Sequence, residues 1–302
     1  MSARSLKKRI VSVGECMVEM APTGEGTYAM GFAGDTLNTA WYLRRALPAD
    51  RPVDYLTAVG TDPISARMVA FFEEAGLGTA HVARLSDRTV GLYLIELTNG
   101  ERSFAYWRGQ SAARLLAREA AALEAGFAEA ALIYLSGITL AILDPADRAR
   151  LLEALAAARA AGSAVAFDPN LRPRLWPDPA AMCAAVTEAA RHADIVLPSH
   201  EDEATFFGDA DAAATAARYA AAGATLVVVK DGAGPMVTLT EDGQQSHPPE
   251  RVQEVIDTTA AGDSFNAGFL AAHLTGAPIA DAVRAGARLA ARVIGARGAL
   301  VP

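Results

Sequence analysis

Residues 257–268, Asp-Thr-Thr-Ala-Ala-Gly-Asp-Ser-Phe-Asn-Ala-Gly, set one carboxylate directly behind three of the smallest side chains. Ala260, Ala261 and Gly262 precede Asp263, and Ala267, Leu270, Ala271 and Leu274 recur at helical spacing, so a loop feeding a helix is expected. A helix start carries unpaired N–H groups and the positive end of the helix dipole, and small residues let an anion approach them. A carboxylate placed there repels that anion, which is odd as pure structure. It suits a base that takes the proton from a hydroxyl attacking a phosphoryl group. The structural alternative is an ordinary helix cap beside a closely packed turn.

Four further groups of residues could serve the same chemistry. In 31–38, Gly-Phe-Ala-Gly-Asp-Thr-Leu-Asn, a tight loop enters a helix; Asp35 and Asn38 could bond substrate hydroxyls, with Gly34 allowing close backbone approach. Otherwise Asp35 is an N-cap and Gly34 a turn residue. Tyr93, Tyr106 and Arg108 lie on an aromatic-rich ribbon, where Arg108 could reach a cleft and grip a carboxylate through its planar fork, or simply stand in solvent. Asp168-Pro169-Asn170-Leu171-Arg172 follows an apolar run, which makes Arg172 a second anion clamp or the partner of Asp168. Lys230-Asp231-Gly232-Ala233-Gly234 follows another such run and reads as a turn.

The elements that must position these residues alternate. Apolar runs at 10–13, 55–59, 131–135, 164–167, 195–197 and 226–229 read as buried strands. Helical patterns fill 36–47, 64–75, 146–161, 180–191 and 212–222. This predicts an α/β fold with a mainly parallel central sheet covered on both faces and ligands at the carboxyl ends of the strands. Two regions, 18–32 and 90–107, alternate like strands with no helices to cover them, the second turning at Asn99-Gly100, and are expected to form a small β-sheet acting as a lid. A hairpin at 236–240 turning at Asp242-Gly243 should close one sheet edge.

Composition removes whole classes of function. With 302 residues and 52% hydrophobic content the chain can bury a large core, and we expect one catalytic unit over 1–302 with lid strands inserted at about 15–33 and 90–108. The net charge of −8, with scattered Lys and Arg, gives no nucleic-acid or membrane face. A basic start, Arg4, Lys7, Lys8 and Arg9, is followed by an apolar run that stops at Gly14 and Glu15, too short for a signal peptide. Cys16 and Cys183 make neither a disulfide framework nor a zinc pattern, in keeping with a cytoplasmic protein. There is no Gly-x-x-x-x-Gly-Lys-Ser/Thr loop, no Gly-x-Ser-x-Gly elbow and no metal-ligand spacing among the five His. The loose dinucleotide pattern at 24–29 falls within the expected lid, not between a strand and a helix.

The 257–268 stretch resembles the Asp-Thr-x-Gly-Ala-Gly-Asp signature of the ribokinase-like (PfkB) carbohydrate kinases, with Ala260 at the first Gly. The 31–38 loop resembles the family's Gly-Gly-Asp/Asn-x-x-Asn sugar-binding element, with Ala33 at its first Gly. Residues 230–234 resemble its Lys-x-Gly-x-x-Gly nucleotide turn, the second Gly coming one place early. Further segments (14–20, 100–108, 134–143, 172–176 and 297–299) extend the likeness over nearly the whole chain, toward a branch that acts on a keto sugar acid.

The resemblance implies a ribokinase-like three-layer α/β sandwich and an enzyme, usually oligomeric, that uses ATP and Mg2+. It implies Asp263 as base, the amides of Ala260, Ala261 and Gly262 as anion hole, and Gly34, Asp35, Asn38, Tyr93, Tyr106, Arg108 and Arg172 as substrate contacts. Nucleotide contacts are implied for Asn170, Ser199, Lys230, Gly232, Gly234, Gly262 and Asn266. Ser199 and Asp202 stand where many relatives carry an Asn-x-x-Glu motif that organises magnesium, which leaves the metal ligands unassigned, with Glu201, Asp202 and Glu203 all able to act through water. A kinase for an uncharged sugar such as fructose, and a catalytically idle sugar-acid sensor, are the alternatives.

Overall fold

The computed structural model describes residues 8–98, 101–252 and 254–302. Its strands are β1 (Arg9–Val13), β2 (Met17–Gly24), β3 (Thr27–Ala33), β4 (Val53–Gly60), β5 (Val82–Leu85), β6 (Gly91–Thr98), β7 (Glu101–Trp107), β8 (Ala130–Ser136), β9 (Ala164–Asp168), β10 (Ile195–Val196), β11 (Leu226–Val229), β12 (Met236–Thr240) and β13 (Gly243–His247). Nine of them form one sheet in the order β13-β12-β11-β10-β9-β8-β1-β4-β5, and β3-β2-β6-β7 form a second. From β11 to β5 every pairing is parallel, whereas β12 and β13 close the edge as an antiparallel hairpin. Its two-residue loop is Glu241-Asp242, and Gly243 follows at φ 112°, a left-handed conformation that favours glycine.

The helices are α1 (Asp35–Ala46), α2 (Pro63–Glu74), α3 (Ala120–Phe127), α4 (Gly137–Ile142), α5 (Pro145–Ala160), α6 (Pro179–Arg191), α7 (His200–Phe207), α8 (Ala212–Ala222), α9 (Ala261–Leu274) and α10 (Ile279–Ile294). Successive strand side chains point to opposite faces, so a continuous apolar strand feeds two cores. In β9, Val165 and Phe167 join Leu151 and Val186 on one face, and Ala166 joins Phe269 and Val283 on the other. Helices therefore cover both faces of the large sheet, giving three layers. Asp62, Asp144, Asp178 and Asp211 cap α2, α5, α6 and α8, each accepting backbone N–H bonds.

The second sheet has two unlike faces. Val18, Met20, Phe32 and Leu92 pack into the core shared with α1 and α2, while Met17, Ala33, Tyr93 and Ile95 turn toward Ala260 and Ala299. Phe104, Tyr106 and Trp107 at its edge stay exposed. The Asn99-Gly100 turn expected between β6 and β7 lies outside the described residues. Sequence periodicity missed β5, which has only four residues, α7, whose three consecutive acids obscure its apolar face, and the whole of α10.

Candidate active site

The candidate residues gather at the carboxyl ends of the parallel strands. Asp168 ends β9 and Lys230 directly follows β11, while α9 brings its first turn to the same place. Ala260 precedes α9 with φ 60° and ψ 16°, a left-handed conformation in which a Cβ costs roughly 1 kcal/mol. That geometry is the reason a glycine is the cheaper residue at this place. Gly262, inside the first turn, has no such need: a Cβ built there would meet only Lys230 Nζ, at 3.6 Å.

Asp263 accepts a hydrogen bond at Oδ2 from Asn38 Nδ2 (2.8 Å), and Thr39 Oγ1 donates to its backbone carbonyl (3.2 Å). Burial, followed by the charge of Asp35, pushes the Asp263 carboxyl up to about 7, against the opposing bond from Asn38. A carboxyl poised there is about half ionised at neutral pH, a value suited to exchanging a proton with a hydroxyl.

Asp35 and Asn170 are joined. Asn170 has φ 37°, and its Nδ2 donates to Asp35 Oδ2 (2.7 Å), while its N–H donates to Asp168 Oδ1 (3.1 Å). An asparagine serves both needs, since it tolerates left-handed backbone and offers an amide donor. Asp35 is the first residue of α1, with extended Gly34 as its cap; the helix begins one residue earlier than its apolar pattern indicates, and among the described residues Asp35 Oδ1 accepts only from its neighbour Thr36 N. Its other oxygen is thus turned into the site. The glycine at 34 answers to packing, because a Cβ there would lie 2.2 Å from the Glu15 carbonyl oxygen.

Lys230 is the surprise of the turn that follows β11. Its side chain runs back beneath α9, donating to Asp168 Oδ2 (3.0 Å) and Asn266 Oδ1 (3.1 Å), and Asn266 Nδ2 also donates to Asp168 Oδ2 (2.6 Å). Tyr134 OH accepts from Asn266 Nδ2 at 3.1 Å. The alternative in which Arg172 pairs Asp168 is not what the structure holds, because Asp168 is already matched to the ammonium. Arg172 instead bonds the Leu171 carbonyl (2.7 Å) and lies 3.6 Å from Asp202, with half of its side chain exposed. Gly232 and Gly234 lie in the turn after Lys230, with Gly232 at φ 52°, and Ser199 bridges Lys230 at the start of α7.

The small sheet holds the remaining candidates. Tyr93 and Tyr106 sit opposite in the β6–β7 register with ring centroids 6.0 Å apart, and the Tyr93 hydroxyl donates to Glu19. Arg108 is nine-tenths buried and its Nη2 donates to Glu15, so it is not the free cation that its position in the sequence suggests. Neither Asp168 nor Glu15 stood out as a site residue in the sequence. Asp168 could have been found as the acid closing a buried strand; Glu15 carries no such signal.

The three acids of α7 differ in their surroundings, Glu201 being exposed. Glu203 is fully buried, bonded to Arg218 and Tyr219, and faces away from the site. Asp202 lies on the side of Arg172, and burial raises its carboxyl. Among the described residues no cluster of three or more His, Cys, Asp or Glu could hold a metal by itself. A magnesium ion held mainly by phosphate and water needs no such cluster.

A family model described as pfkB family carbohydrate kinase matches residues 7–302. The chain is 41% identical to a 2-dehydro-3-deoxygluconokinase of Dickeya dadantii, over 98% of this chain and 97% of that protein. It is 40% identical to the enzyme of the same name from Escherichia coli, with 98% of each covered. Among solved structures it resembles a PfkB protein from Polaromonas sp. JS666 (TM-score 0.84, 29% identity, 95% and 96% of the two chains). A fructokinase with bound ATP from Xylella fastidiosa superposes with a TM-score of 0.82 at 28% identity, over 97% and 94% of the two chains. With its acid at an amide-rich helix start and its match over residues 7–302, the chain belongs to the pfkB family of carbohydrate kinases.

Proposed function

We propose that the enzyme transfers the γ-phosphoryl group of ATP to the terminal hydroxyl of 2-keto-3-deoxygluconate, giving 2-keto-3-deoxy-6-phosphogluconate. The observation that carries the chemistry is Asp263, a carboxylate raised to about 7 at the first turn of α9. The full-length likeness to 2-dehydro-3-deoxygluconokinases supports the choice of substrate.

In this reading Asp35 and Asn38 hold sugar hydroxyls and Asp263 takes the proton of the attacking one as its oxygen bonds to phosphorus and the bond to the ADP oxygen breaks. The amides of Ala260, Ala261 and Gly262 face the charge that builds on the moving phosphoryl, and Lys230, held by Asp168 and Asn266, stands beneath them. Ser199, Asn170, Gly232 and Gly234 line the nucleotide side, while Asn266, fully buried, acts only through Lys230 and Asp168. Magnesium, when bound, would neutralise the phosphate oxygens, with Asp202 reaching it through water. Tyr93, Tyr106, Arg108 and Arg172 hold the keto acid, and the small sheet acts as the lid that excludes water. The same reading takes the enzyme as a cytoplasmic homo-oligomer, in which self-association would cover Trp107, 61% exposed on the small sheet.

One observation favours a second reading. Glu15 already neutralises Arg108, a pairing that suits an uncharged sugar such as fructose. Steady-state phosphorylation of the keto acid, its C4 epimer and fructose, each coupled to ADP release, decides between them. A kcat/KM for fructose above that for both keto acids would overturn the proposal.

A further inference from the structure

Glu15 is the most deeply keyed residue near the site that the chemistry above does not use. It stands in the connection from β1 to β2, and its side chain is 1% exposed. Its backbone carbonyl abuts Gly34, where a Cβ would come within 2.2 Å. Its carboxylate abuts Gly91 at the start of β6, where a Cβ would lie 2.8 Å from Oε1 and 3.2 Å from the Arg108 Cβ. One residue thus braces both the loop that carries Asp35 and Asn38 and the end of the strand pair that carries Arg108.

The ion pair is incomplete. Oε2 of Glu15 accepts from Nη2 of Arg108, but Glu15 Oε1 and Arg108 Nε, both buried, have no hydrogen-bond partner among the described residues. A guanidinium that satisfied Glu15 fully would present Nε and Nη2 together, as a fork. Here the fork is used on one prong only. A buried, unpartnered N–H is costly unless something completes it.

We propose that Glu15 is a positioning residue for the substrate carboxylate. It pins the Arg108 guanidinium through Nη2 and so sets the direction in which the exposed tenth of the side chain meets the carboxylate of the sugar acid. Because Gly34 and Gly91 lock Glu15 in place, the aim of Arg108 is set relative to Asp35 and Asn38, and the acid end and the hydroxyl end of one substrate are registered against each other. The inference rests on the sugar-acid reading above.

The test is a double-mutant cycle between Glu15 and Arg108, with KM and kcat measured for the keto acid and for ATP. Glu15→Ala should raise the KM of the keto acid by roughly 10- to 100-fold, with the KM of ATP unchanged. Glu15→Gln, which keeps an oxygen acceptor in the same volume, should restore most of that loss and guards against a fold defect in the alanine variant. In an Arg108→Ala background the Glu15→Ala change should add little. Equal losses for keto acid and ATP, or an undiminished effect of Glu15→Ala without Arg108, would overturn the inference. A wild-type enzyme that ignores keto acids overturns the substrate reading instead, so the two failures are distinct.

Discussion

Asn38 Nδ2 and Asp263 Oδ2 lie 2.8 Å apart across 225 positions of sequence, joining the first turn of α1 to the first turn of α9. The bond fixes which oxygen of Asp263 is engaged and leaves Oδ1 for a substrate hydroxyl. Asp263→Asn keeps the shape and the acceptor for Asn38 but removes the base. Turnover should fall by about 100- to 10,000-fold while the keto acid still binds. Kinetics together with calorimetric binding check this, and near-normal turnover would remove Asp263 from the role of base.

The raised carboxyl makes a prediction of opposite sign for stability. Its folded value, about 7, lies above the 3.8 of an ordinary Asp, so its stabilising contribution is full below about pH 4 and is lost as pH rises through 7. At pH 8 the wild type carries a charge beside Asp35, only partly offset by Asn38 and Lys230, that Asp263→Asn lacks. The asparagine variant should therefore melt higher at pH 8, with the difference shrinking toward pH 4. Activity should run the other way, kcat rising with pH through an acid limb near 7. Melting curves with no pH-dependent gap between the two proteins would contradict the shift.

The parallel core was legible because buried parallel strands read as continuous apolar runs, whereas the spacing around Asp263 suited a helix cap equally well and only the resemblance of 257–268 to the family signature singled it out. Lys230 shows what was hidden. Its neighbours in sequence, Asp231 and Gly232, describe a turn, and only the fold reveals that the side chain turns back under α9 to meet Asp168, 62 positions away. Arg108 shows the converse, a cation placed well by the sequence but already engaged by a buried acid 93 positions earlier. Pairing of this kind depends on tertiary distance, which no local pattern encodes.

Gly262→Ala separates folding from chemistry. The residue lies in the first turn of α9 with ordinary backbone, and the added methyl would touch nothing closer than Lys230 Nζ. Alanine favours a helix over glycine by about 1 kcal/mol, so the melting temperature should hold or rise. If the amides of 260–262 receive the phosphoryl as proposed, the methyl stands in its approach and kcat should drop at least about tenfold. Full activity in a stable Gly262→Ala protein would place the anion hole elsewhere.

Arg172 is half-exposed and bonded to one carbonyl and to Asp202 at a distance of 3.6 Å, so its loss should cost little stability. If it serves the acid end of the substrate, Arg172→Gln should raise the KM of the keto acid by roughly tenfold and leave fructose turnover unaltered. If it serves the nucleotide instead, the KM of ATP moves and that of the keto acid does not. Thermal melts of both forms rule out a general defect.

Lys230→Met tests whether the buried ammonium acts on the reaction or only on the fold. Its charge opposes the burial and the Asp35 and Asp168 charges that raise Asp263. Without it the Asp263 carboxyl is raised further, so the acid limb of the kcat profile should move to higher pH while maximal kcat falls, since the phosphoryl loses a cation beneath Gly262. The groups facing the ammonium are Asp168, from β9, and Asn266, from α9; Asn266 still donates to Asp168 after the substitution, which limits the structural damage. A purely structural lysine would lower the amount of active enzyme without moving the limb. A profile that keeps its wild-type midpoint would therefore exclude any electrostatic part for Lys230 in setting the base.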